Sequence, residues 1–172
     1  MENQANSKSI ILKYGLYTGG ASILIALILY SMGKSVNPGI PMAIISFIVP
    51  LVLIILGIKN FKAANNNLMT WGQAVKVGVG IALIWGVLAL IFQYLLENFI
   101  APELIEQKIE FTRSSLENWG MTEDVIETQL EKQKNQNPLL TFSMGLLFMA
   151  FIGFVVSAIA GAIMKKTEEN EY

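Results

Sequence analysis

Glu103, Glu106 and Glu110 follow one another at a spacing of three and then four residues, which puts their carboxylates on one face of a helix. Carboxylates so placed could exchange a proton with a substrate or hold a hard cation. The rest of the chain supplies nothing to complete either chemistry. With Cys 0 and His 0 there is no thiolate nucleophile, no His-dependent triad, no cysteine-bound cluster, no haem on histidine and none of the usual zinc sites. An aspartate-rich calcium loop and a phosphate-cradling GxxxxGK run are also missing. The same carboxylate spacing arises on almost any solvated acidic helix, and that is the reading adopted. No catalytic, cofactor-binding or metal-ligating residue is assigned, no cofactor is expected, and the chain is not expected to be an enzyme. A formal net charge of -1 gives no reason to expect nucleic acid as a partner.

The elements that would have to position any such group are dominated by apolar sequence. Of 172 residues, 53% are hydrophobic and 15% charged, against about 25% charged in soluble domains. Between Lys13 and Lys34 lie 20 uncharged residues, between Lys34 and Lys59 24, between Lys76 and Glu97 20, and between Lys134 and Lys165 30. A helix rises about 1.5 Å per residue and the hydrocarbon core is about 30 Å thick, so each tract can cross once. A soluble bundle of such helices would need an amphipathic outer layer that the remaining residues are too few to build. The expected fold is therefore all-α: a polytopic membrane protein with four transmembrane helices in two hairpins. The chain 1–172 is read as a single membrane domain, with helices over about 14–33, 40–58, 77–96 and 139–164. Pro41 and Pro50 make it an open question whether the second helix spans fully. The basic flank Lys8 and Lys13 precedes an apolar tract too long for a signal peptide and without a clear small-residue cleavage site, which reads as an uncleaved signal anchor after the polar tail MENQANSKSIIL.

Basic residues near helix ends set the expected orientation. Lys8, Lys13, Lys59, Lys62, Lys76, Lys165 and Lys166 fall on one side, which the positive-inside rule makes cytoplasmic, together with both termini. The first connection, GKSVNPGIP, suits a tight reversal outside. In the cytoplasmic connection, Asn65, Asn66 and Asn67 mark a turn, and Thr70 with Gln73 forms a capping-box pattern for a helix beginning at Trp71.

The third connection, 97–138, carries nine acidic and four basic residues, a local net charge of -5. It is expected to be an acidic extracytoplasmic helical hairpin inserted between helices 3 and 4. PELIEQKIEFTRSSLENW reads as one helix with Pro102 at its first position, and it bears Leu104, Ile105, Ile109, Phe111, Leu116 and Trp119. Gly120 breaks it. Thr122 is placed to cap a second helix with Glu123 and Asp124 in its first turn and Val125, Ile126 and Leu130 on its apolar face.

Transport normally leaves ionisable groups at bilayer depth, and the four expected spans contain none. Their polar groups include Tyr17 and Ser22 in the first, Ser46 in the second, Gln93 and Tyr94 near the outer end of the third, and Ser143 and Ser157 in the fourth. Gln93 is the one to watch. Small residues recur every four positions at Gly78, Ala82 and Gly86 and at Gly153, Ser157 and Gly161, with Gly15 and Gly19 as a shorter pair. Such faces let helices approach closely in lipid, within one chain or between chains.

GIKNFKAANNNLMTWGQAVKVG between spans two and three, YLLENFIAPE at the end of span three, and the long charged connection after it resemble a domain-of-unknown-function family of small, uncharacterised four-span membrane proteins from Bacteroidetes. The likeness runs from about Lys13 to Lys166, with Phe61 and Lys62 matching an aromatic-plus-basic pair and Trp71, Gly72, Gln73 and Ala74 matching the entry to the next span. Glycine is missing from the Asn run, so that turn departs from the family pattern. The resemblance implies a bacterial inner (cytoplasmic) membrane protein and brings no activity, substrate or catalytic residue. The expected partners are the lipid bilayer and either a second copy or another membrane protein. The favoured function is a non-enzymatic structural or accessory one, acting through helix association and the extracytoplasmic loop. The alternative is a small channel or transporter subunit. A lipid-acting enzyme is more remote, since only the loop carboxylates and interfacial lysines could serve it.

Overall fold

The computed structural model describes residues 6–167, and 84% of it is helical. The first five residues of the expected polar tail lie outside the described residues. Six α-helices follow in order: α1 (Ser7–Ser31), α2 (Gly39–Ala64), α3 (Trp71–Leu95), α4 (Glu103–Asn118), α5 (Glu123–Lys134) and α6 (Pro138–Met164). A π-helical turn, Leu96–Ile100, prolongs α3. The helical runs Ser7–Ser31, Gly39–Ala64, Trp71–Ile100 and Pro138–Met164 are each long and apolar enough to cross a membrane.

The helices overrun the spans expected from charge spacing. The first begins at Ser7 rather than residue 14, the second continues through Lys59 and Lys62 to Ala64, and the third, which starts at Trp71 as its capping box predicts, takes in Lys76 and runs on through Glu97. A charge marks where the hydrocarbon ends, whereas the backbone hydrogen bonds of the helix continue through the headgroups. The second helix is continuous despite both prolines. Pro41 lies in its first turn, where a missing N–H costs nothing, and Pro50 lies inside it and leaves the Ser46 carbonyl without its usual donor.

α3 packs against α6 and α1, its two most extensive interfaces, while α2 packs mainly against α1. Against α6, α3 forms an antiparallel seam of small residues. A side chain on Gly78 would meet Ser157, one on Gly153 would meet Ala82, and one on Gly161 would meet Ala74. At Gly153 an added Cβ would collide with the Ala82 Cβ and stand 3.2 Å from the Gly78 carbonyl oxygen, so only glycine fits this crossing. Ser157 is fully buried in the seam and donates to the Gly153 carbonyl of its own helix at 2.6 Å. Against α1 the packing is parallel, with Ile11 over Gly80, Gly15 under Ile84 and Gly19 under Leu88. The small-residue faces noted in the sequence are thus occupied within the chain.

α2 adds its second half to this pair. Its buried residues are Pro50, Ile54, Gly57, Ile58 and Phe61, and none lies before Pro50. Ile54 and Ile58 join Val77, Ile81 and Ala82 in an apolar cluster that fills the half of the bundle nearest the α2–α3 connection. That connection is fastened at three places. Asn66 and Asn67 adopt left-handed backbone conformations, which asparagine tolerates better than most residues. Thr70 and Gln73 complete a reciprocal capping box. Met69 and Lys166 exchange two backbone hydrogen bonds of 2.7 and 2.9 Å, tying the connection to the end of α6.

At the opposite end, Leu96, Ala101 and Leu104 are buried with Val36 of the α1–α2 turn and Tyr30 of α1 packed on them. This cluster seats the start of α4 on the bundle. Gly120, at φ +74, separates α4 from α5. α5 buries Ile126 and Leu130, whereas Val125, expected on its apolar face, is exposed. Thr122 occupies the capping position but makes no side-chain cap bond. Pro102 likewise stands just before α4, one position outside the expected first turn.

Between their charged ends, the outward-facing side chains of the four long helices are predominantly apolar, from Leu16 and Leu24 in α1 to Phe148, Phe151 and Ile163 in α6. Water would not tolerate contiguous apolar surface on this scale, and lipid requires it.

Candidate functional site

Ser22, Ser46, Trp85 and Gln93 of the spans converge on one cavity of about 250 Å³ between α1, α2 and α3, in the half of the bundle nearest α4. Its position follows from α2. Before Pro50 that helix turns only the partly buried Met42, Ser46 and Val49 inward, and Ser46 is its one contribution to the wall. Ile23, Ala26 and Leu29 of α1 and Ala89, Phe92 and Leu96 from the α3 side supply apolar walls.

Set into those walls are hydrogen-bonding groups without protein partners. The Ser22 and Ser35 hydroxyls and the Trp85 indole Nε1 are buried and unpaired, and all three residues line this cavity. Indole N–H can only donate, and each hydroxyl can donate once and accept. Ser46 also lines the cavity, with its hydroxyl donating to the Met42 carbonyl at 2.8 Å. The mouth toward α4 is polar. Gln93 Nε2 and Lys108 Nζ both donate to Oε1 of Glu97, and Gln93 and Lys108 line the cavity as well. Glu97 sits in the π-helical turn, a distortion often found where a helix serves a site. Lys108 and Glu97 form an ion pair that leaves the mouth formally neutral.

Beyond the mouth, charge holds α4 to α5. Arg113 donates to Glu123 at 2.8 Å and also to Glu127. The hydrogen bond from Arg113, aided by its charge, holds the Glu127 carboxyl below its ordinary value of 4.5. Glu127 first and Glu123 next push the Arg113 guanidinium further above its already high value. All three side chains are in water, so these pairs orient the helices more than they stabilise them.

The structure places the sequence candidates unevenly. Glu103, Glu106 and Glu110 are exposed. Glu106 and Glu110 border a shallow groove between α4 and the α1–α2 turn, and Glu103 does not reach it. Among the described residues no group of three or more His, Cys, Asp or Glu comes together as metal ligands. Gln93, Ser22 and Ser46 meet at the cavity, while Tyr17 and Tyr94 face outward and Ser143 donates to the Leu139 carbonyl of its own helix. Sequence reasoning missed Trp85, Ser35, Glu97 and Lys108 as members of the same site. Trp85 carried a signal, because an indole N–H midway along a span, far from the interface that tryptophan favours, needs a partner. Lys108 did not, since only the fold of α4 back onto α3 brings it to Glu97.

These features define a class: an all-α membrane protein with four apolar helices in one bundle, and a polar-mouthed cavity beneath a charged helical pair. The chain belongs to the family described as "Protein of unknown function (DUF4199)", which matches residues 13–166. No curated protein and no solved structure matches it.

Proposed function

We propose that this is a non-enzymatic accessory protein of a bacterial inner membrane, of Bacteroidetes type, with both termini cytoplasmic and the α4–α5 pair outside. In this reading the four spans form two membrane hairpins that hold α4–α5 above the outer surface, where the pair engages a second membrane-bound chain. One observation carries the reading. α4–α5 is too rich in charge to enter the bilayer, yet it presents Phe111, Trp119, Met121 and Val125 to its surroundings, with Trp119 73% exposed. A connection kept soluble by charge alone has no use for such side chains. The small-residue faces add indirect support: they are satisfied inside the chain, so contact with a partner falls to the surfaces outside the spans.

The channel alternative is less well supported, because the apolar cluster around Ile54, Ile58 and Ile81 stops the polar cavity short of the α2–α3 end. Crosslinking in native membranes, followed by the detergent-corrected mass of the purified product, tests the proposal. A discrete species crosslinked through 97–138 is expected, with Trp119→Ala/Phe111→Ala reducing its yield. A chain that remains uncrosslinked through this segment in its native membrane would overturn it.

A further inference from the structure

We propose that the cavity between α1, α2 and α3 binds the uncharged, hydroxyl- and ester-bearing head of an amphiphile drawn from the bilayer. The proposal stands apart from the partner reading, since it concerns the inside of the bundle rather than the surface of α4–α5.

The chemistry of the walls selects the ligand. Ser22 and Trp85 within the spans and Ser35 in the α1–α2 turn bring three buried donors with no protein acceptor, and buried groups of this kind call for acceptor oxygens. The Ser22 and Ser35 hydroxyls can accept as well as donate, so acceptors are present too. A head with both carbonyl and hydroxyl groups answers both needs. Charge is excluded by the mouth: Lys108 is already neutralised by Glu97, which also takes the Gln93 amide. An ionised head would enter without a counter-charge, at a large desolvation cost.

Size and access complete the argument. At about 250 Å³ the cavity lies below the usual range for drug-sized ligands, so it admits a glycerol-ester-sized head and not a whole lipid. The acyl chain must lie elsewhere. In this proposal the chain leaves beside Ser46, whose α2 neighbours Met42 and Val49 are apolar and only partly buried. Ile44, Phe47 and Ile48 in the same half of α2 are exposed, and lipid tails are the solvent they suit.

The test uses the full chain in phosphatidylcholine vesicles with a monoacylglycerol that carries a photoreactive diazirine next to its ester. Labelling should map to the α1 and α3 segments around Ser22–Leu29 and Trp85–Leu96, saturate, and be competed by monooleoylglycerol but not by glycerol. Ala89→Phe, which fills the cavity, should abolish it. Ser22→Ala/Ser35→Ala removes two hydroxyls without changing shape, and should raise the half-saturating concentration about tenfold. Labelling that does not saturate, or that is equal in Ala89→Phe and in the double serine variant, would overturn the proposal. Competition by glycerol as strong as by monooleoylglycerol would overturn it as well, by assigning the site to a free solute.

Discussion

Gly153 and Gly20 make opposite demands on the chain although both lie inside apolar helices. A methyl group on Gly153 would press on Ala82 and on the α3 backbone, whereas nothing lies within 4 Å of one on Gly20. Gly153→Ala should therefore destabilise the protein by about 1–3 kcal/mol, the usual cost of overpacking, and Gly20→Ala should be neutral or slightly stabilising because alanine favours helix. Thermal unfolding of the two variants in detergent checks both. Trp71 offers a second residue-scale case. Its Nε1 donates to the Ala158 carbonyl at 3.1 Å and its ring meets Phe154 edge-on. Trp71→Phe should cost about 1 kcal/mol through the lost hydrogen bond, in the same assay, while retaining most of the ring contact. At this scale the sequence was informative about type and silent about partner. The four-residue spacing of Gly153, Ser157 and Gly161 showed that a close helix approach was intended, but only the fold shows that α3 of the same chain makes it. Ser22, Ser46 and Gln93 were visible as polar groups in apolar tracts. Their meeting at one cavity depends on how α1, α2 and α3 pack, which no local pattern encodes.

The α4–α5 pair is the element most open to adjustment by pH. Glu127 has a lowered carboxyl value in the folded pair. The contribution of its contact with Arg113 is thus present above the ordinary carboxylate range and is lost as pH falls through the lowered value. Hydrogen exchange of the α5 amides should be protected to the same degree from about pH 8 to about pH 5, after correction for intrinsic rates, and lose protection only on further acidification. Arg113→Gln should remove that pH dependence and speed exchange in α5 at neutral pH, with α3 and α6 unaffected. The effect should be modest, since the pair is in water. The existence of all four long helices and both short ones was legible from hydropathy, capping residues and Gly120. Their ends were less so. Charges mark the hydrocarbon edge, and lysines and Glu97 continue the helices past it, whereas the capping box at Thr70 marks a true helix start. Val125 was misplaced because both it and Ile126 follow the cap at Thr122, and only packing decides which of two neighbouring apolar residues turns inward.

For the molecule as a whole, the class was readable because four apolar tracts without internal charge leave few alternatives. The order of packing, with α3 against α1, α2 and α6, was not readable, because lipid-facing and protein-facing apolar residues look alike in sequence. In the proposed topology, four crossings hold α4–α5 and the cavity mouth outside and the α2–α3 connection inside. A chain with Cys 0 permits a direct test, because any thiol introduced is the only one present. Single cysteines at Asn37, Trp119, Asn66 and Thr167 would be exposed to a membrane-impermeant maleimide in intact spheroplasts and then after permeabilisation. Trp119→Cys and Asn37→Cys should label before permeabilisation, and Asn66→Cys and Thr167→Cys only after it. Labelling of Asn66→Cys in intact spheroplasts, or protection of Trp119→Cys until permeabilisation, would contradict the account.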